Sequence, residues 1–131
     1  MTLSYDIKVE GFEELGKKLE PDELLGDALK HVLGQASLTI ERQAKLFSPV
    51  DTGRLRASVT SLVDSSPVPL WAKVDSDVEY AEEVNSPEWR GPRHGGVGRK
   101  QFFTRAIEST RARVDAILKE AERMIKERFE R

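Results

Sequence analysis

Apolar and polar positions along this chain follow two periods. Tyr5, Ile7 and Val9 alternate with Asp6 and Lys8, the two-residue period of a strand, and Gly11 ends the run. Phe12, Leu15 and Leu19 follow at helical spacing, predicting a short helix to about Glu20. Pro21 suits a first helical position, and Asp22 and Glu23 suit the positive end of a helix dipole. Leu25, Leu29, Val32, Ala36, Ile40, Ala44 and Phe47 then recur every three or four residues, predicting a long amphipathic helix over 22–47. Gly26 and Gly34 weaken it by about 1 kcal/mol each relative to Ala, and both are expected to permit close packing. Pro49 stops the helix.

The segment Ser48-Pro49-Val50-Asp51-Thr52-Gly53 reads as a turn, with Asp51 bonding to the amides after it and Gly53 at positive φ. The turn is expected to launch a strand in which Ala57, Val59, Ser61 and Val63 alternate with Ser58, Thr60 and Leu62. Residues 70–75 and 78–84 read as one bent strand or two short ones, which suggests an antiparallel meander. Residues 85–100 hold two Pro and four Gly and predict a long, flexible loop. From Phe102 the spacing of Phe103, Ile107, Thr110, Val114, Ile117, Ala121, Ile125 and Phe129 predicts a second long helix to about Arg128. The expected fold class is α+β: a small, mostly antiparallel β-sheet packed against one or two long α-helices, in a single domain spanning 1–131.

Composition narrows the chemistry. The 131 residues include no Cys, so disulfides, thiolate metal sites and thiol nucleophiles are excluded. The start carries acids and lacks an apolar core of signal-peptide length, and no stretch approaches the ~18 apolar residues of a membrane span. Charged residues make up 34%, yet the formal net charge is only -2. That balance argues against a protein built mainly to hold nucleic acid by charge. The charges are segregated, however: residues 64–89 carry one basic and seven acidic groups, and residues 90–104 carry four basic and no acidic ones. An acidic stretch beside a basic one can supply two complementary edges for an oligomer.

No catalytic set emerges. Asp51-Thr52-Gly53 matches the triplet of retroviral-type aspartic proteases, but Ser48-Pro49 precedes it, and Arg54 and Arg56 follow. Two such subunits would crowd four arginines about the carboxylate pair and depress its pKa values. In the glycine-rich loop, Gly98 leads into Arg99-Lys100-Gln101, not the Gly-Lys-Ser/Thr of a phosphate loop. His31 lies beside an apolar helical face and His94 stands alone, so no histidine pair has metal-ligand spacing. Glu79, Glu82 and Glu83 have no evident acid–base partner. Trp71 is expected to fill core, whereas Trp89, between Glu88 and Arg90, is the better candidate for a contact.

Several of these segments, taken together, carry a likeness. They are Ile7-Lys8-Val9-Glu10-Gly11-Phe12, the junction Ser48-Pro49-Val50-Asp51-Thr52-Gly53-Arg54-Leu55-Arg56-Ala57-Ser58, Val78-Glu79-Tyr80-Ala81, and Phe102-Phe103 with Ala106-Ile107-Glu108. Over nearly its whole length the chain resembles the tail-component family of long-tailed bacteriophages, also described as tail-completion, head–tail joining or neck proteins. The junction around Pro49, Asp51, Thr52 and Gly53 is the most specific part. Asn85-Ser86-Pro87-Glu88 stands where the family usually has an acidic-aromatic-Gly-Thr segment.

The resemblance implies a structural virion protein of a tailed phage or prophage, with no catalytic, cofactor or metal residues. It would work in tail completion or head–tail joining, in the host cytoplasm during assembly and then in the virion. The expected form is a ring, as a hexamer, in contact with other neck and tail proteins. A ring needs heterologous edges, and the candidate interface residues are Arg54, Arg56, Trp89, Arg90, Arg93, Arg99 and Lys100. If the ring surrounds the DNA channel, Arg54, Arg93 and Lys100 are the candidates for a non-specific DNA contact. The alternative is a nucleic-acid-binding or regulatory module using the basic 90–104 loop.

Overall fold

The computed structural model describes residues 3–8, 23–48, 53–66, 69, 71–87 and 101–129. Their order is β1 (Leu3–Lys8), α1 (Glu23–Phe47), α2 (Arg54–Ser58), β2 (Val59–Val63), β3 (Trp71–Ser76), α3 (Ala81–Val84) and α4 (Phe102–Phe129). The fold is α+β, a three-stranded antiparallel sheet with two long helices. At 1.5 Å per residue, α1 is about 37 Å long and α4 about 42 Å.

The sheet order is β1-β3-β2, so β3 is central and pairs antiparallel with both neighbours. The hairpin β2–β3 is the part of the expected meander that the structure contains. The strand on the far side of β3 is the N-terminal β1, not the 78–84 segment. That segment turns away as α3, where Ala81 and Val84 are buried three residues apart, one helical turn.

Side chains alternate cleanly across the sheet. Ile7, Val59, Ala72, Val74 and Ser76 are buried on the inner face, while Ser4, Asp6, Lys8, Thr60 and Leu62 are exposed on the outer one. Trp71 falls on the outer face, opposite Lys8, and is 36% exposed, so the expectation that it fills core is corrected. Small inward residues, Ala72 and Ser76 among them, leave room for α1 to lie close.

Helix α1 packs against α4 on one side and against β2 and β3 on another. Its buried residues accordingly span a wide face: Leu25, Leu29, Val32, Leu33, Ala36, Ile40 and Ala44. Helix α4 contributes Phe102, Phe103, Ala106, Val114, Ala121 and Ile125 to the same core. A Cβ added at Gly34 meets nothing within 4 Å, so that glycine serves no close approach. His31, beside the apolar face of α1, is exposed.

A second correction concerns the start of β2. The junction launches a helical turn, Arg54–Ser58, before the strand begins at Val59. Five residues are too few for their period to show, and burial of Leu55 at 4% exposure sets the turn. The predicted short helix after Gly11 lies outside the described residues, as does nearly all of the predicted 85–100 loop.

Candidate interface at the helix–sheet junction

Gly53 opens α2 with φ 79° and ψ -6°, the left-handed conformation expected of it. Its carbonyl accepts the Ala57 amide at 3.0 Å, closing the turn. The next residue, Arg54, reaches across 25 positions to Glu79. Nη1 donates to Oε1 at 3.1 Å and Nη2 to Oε2 at 3.0 Å, a two-pronged pair. The same guanidinium lies 5.6 Å from the Tyr80 ring centroid. Both charged groups are exposed, at 58% and 70% of their side-chain surfaces. The Glu79 carboxyl is held below the ordinary carboxylate range, first by its own backbone amide and then by Arg54.

Arg56 faces the other way. Its Nε donates to the Lys45 carbonyl at 2.8 Å, and Ser48 Oγ donates to that same oxygen at 2.8 Å. These donors satisfy a carbonyl in the last turn of α1, where the helix dipole also favours the arginine's charge. The last residue of that helix, Phe47, carries the Arg105 guanidinium 4.7 Å from its ring centroid. The end of α1 is thus tied both to α2 and to the start of α4. On the sheet side, Ser58 Oγ donates to the Leu55 carbonyl at 2.6 Å and meets Ser76 Oγ at 2.6 Å, joining α2 to β3.

The start of α4 has a remote cap. Gln101, with φ 54°, precedes the helix and accepts the Arg105 amide at 2.8 Å. Asn85 Oδ1 accepts the amides of Phe103 at 3.0 Å and Thr104 at 3.1 Å, while its Nδ2 donates to Thr104 Oγ1 at 3.0 Å. An N-cap side chain usually performs this service from the adjacent residue. Here it comes from just past α3, and it locks α3 to α4. In the sequence Asn85 stands out only as a departure from a family pattern, because a cap 18 residues away leaves no local signature.

Of the interface residues expected from sequence, Arg54 and Arg56 are brought to this junction, and both make intramolecular bonds. Pro49, Asp51, Thr52, Trp89, Arg90, Arg93, Arg99 and Lys100 lie outside the described residues. Glu79, for which sequence offered no partner, proves to be the partner of Arg54. Asp77, Glu82 and Glu83 are exposed nearby in sequence. Among the described residues no group of three or more His, Asp or Glu could hold a metal ion, and no helix is long and apolar enough to cross a membrane. Comparison with protein-family models, curated proteins and solved structures gives no match.

Proposed function

We propose that this chain is a structural virion protein of a tailed bacteriophage or prophage, acting in tail completion or head–tail joining as a ring of subunits. The observation that carries the reading is the Arg54–Glu79 pair with Tyr80 beneath it. The two most specific segments of the sequence resemblance, 48–58 and 78–81, meet there. A third, the Phe102-Phe103 start of α4, is held by Asn85 four residues past Ala81. Residues far apart in the chain therefore meet at one junction, which supports a shared structural role for the three segments. The exposed acids Asp77, Glu82 and Glu83 present negative charge to complement the basic 90–104 segment of an adjacent subunit.

Deleting the gene in a phage-producing strain tests the reading. Electron microscopy should show complete heads and tails that remain unjoined, with joining restored by a plasmid copy. Intact, infectious particles from the deletion strain would refute it. Native mass spectrometry of the chain, alone and with the tail-tube protein, then gives the ring size.

A further inference from the structure

Among the described residues the sheet ends on one side at β1, and no strand pairs with its outer edge. The Asp64 amide bonds to the Trp71 carbonyl at 3.0 Å, so residues 71, 73 and 75 of β3 turn their backbone groups to β2. Residues 72, 74 and 76 then turn theirs to β1, bonding Leu3, Tyr5 and Ile7. The amides and carbonyls of Ser4, Asp6 and Lys8 point the opposite way, and among the described residues β1 pairs only with β3.

Beside this edge, between β1 and the middle of α4, lies a cleft of about 430 Å³. Its apolar lining includes Tyr5, Ile7, Val114 and Leu118, of which Tyr5 and Leu118 are only partly buried. Its charged lining is Glu122 together with two Asp/Lys doublets, Asp6 and Lys8 on β1 and Asp115 and Lys119 on α4. None of these four makes an ion pair among the described residues, although Asp115 and Lys119 stand at the i,i+4 spacing that allows one.

We propose that this cleft is a two-fold interface with a second copy of the chain, formed by antiparallel pairing of two β1 edges. Charge complementarity identifies the occupant. An Asp/Lys doublet run antiparallel against itself is its own complement. With Ile7 opposite Ile7 of the second copy, Asp6 faces Lys8 of that copy and Lys8 faces its Asp6. The register that places Asp6 against Asp6 is disfavoured by like charge. The same two-fold axis, perpendicular to the sheet, sets the two α4 helices antiparallel. The proposal pairs Asp115 of one with Lys119 of the other. Tyr5 and Leu118 gain cover, and an edge that would otherwise invite indiscriminate pairing is occupied. This contact goes beyond the head–tail reading. It is isologous and closes at two subunits, whereas a ring edge is heterologous, so it describes the free subunit before incorporation.

Sedimentation equilibrium and native mass spectrometry of the full chain test it. The wild type should dimerise reversibly. Lys8→Asp and Lys119→Asp should each weaken the dimer tenfold or more, and Asp115→Lys added to Lys119→Asp should restore it. Lys8 faces uncharged Trp71 and Lys119 lies on an exposed helix face, so neither change breaks an intramolecular ion pair. Matching thermal melts confirm that the variants fold. A wild type that stays monomeric at about 100 μM, or any oligomer unmoved by both reversals, overturns the proposal. A hexamer insensitive to them does so while leaving the head–tail reading in place.

Discussion

Replacing Asn85 with Ala should loosen the start of α4 by a predictable amount. The change removes one oxygen that accepts two backbone amides and one nitrogen that donates to Thr104. Loss of an N-cap side chain costs about 1 kcal/mol, with a range of roughly 0.5–2. Phe103 is only 3% exposed, so water cannot readily replace the lost acceptor at its amide. The expected loss is therefore in the upper half of that range, about 1–2 kcal/mol. For a chain of this size it lowers Tm by roughly 3–8 °C.

Urea melts followed by circular dichroism measure the loss, and amide exchange at Phe103 and Thr104 locates it. Asn85→Asp is the discriminating control. It keeps the acceptor and places a negative charge at the positive end of α4, so it should fall within about 0.5 kcal/mol of wild type at neutral pH. The amides and dipole lower its folded pKa, so this stability is present above its unfolded pKa of about 3.9 and lost as pH falls through the folded value. A loss below about 0.3 kcal/mol for Asn85→Ala would refute the capping argument. Equal losses for Ala and Asp would show that the Oδ1 acceptor is not the operative atom.

Gly53→Ala should cost about 1–2 kcal/mol in the same melts, all of it conformational, because the new Cβ meets nothing within 4 Å while φ stays at 79°. Gly34→Ala should instead stabilise by up to about 1 kcal/mol, since the site lies inside α1 with open space around it. A double-mutant cycle on Arg54→Ala and Glu79→Ala should give a small favourable coupling that shrinks in high salt, as befits an exposed pair. The carboxyls of Glu79 and Glu120 are both held low, Glu79 chiefly by its own amide and Glu120 by the Arg123 side chain. Their contribution is present above the unfolded glutamate pKa and lost as pH falls through the lower folded values. Stability should therefore decline in acid below about pH 4.3, and a flat profile from pH 5 to pH 3 would contradict this.

Legibility in the sequence tracked how local the cause was. The two long helices were evident because 25 and 28 consecutive residues repeat one apolar period, and α1 and α4 end within two residues of the expected positions. The left-handed Gly53 was legible because its conformation follows from its own missing side chain. By contrast, residues 54–58 and 81–84 become single helical turns because Leu55, Ala81 and Val84 find cover on other elements. Nothing within five residues announces that outcome.

The candidate site divides in the same way. Arg54, Arg56 and Gly53 stood out in the junction sequence, while Glu79, Tyr80 and Asn85 acquired their roles through partners 25, 26 and 18 positions away. The sequence alone determined the helices, the antiparallel α+β character and the absence of thiol chemistry. Only the tertiary structure decided that β1 sits beside β3, that Trp71 faces outward and that an asparagine past α3 caps α4. Periodicity and residue chemistry act over a few residues, whereas strand order, burial and remote capping are set when distant segments compete for the same surface.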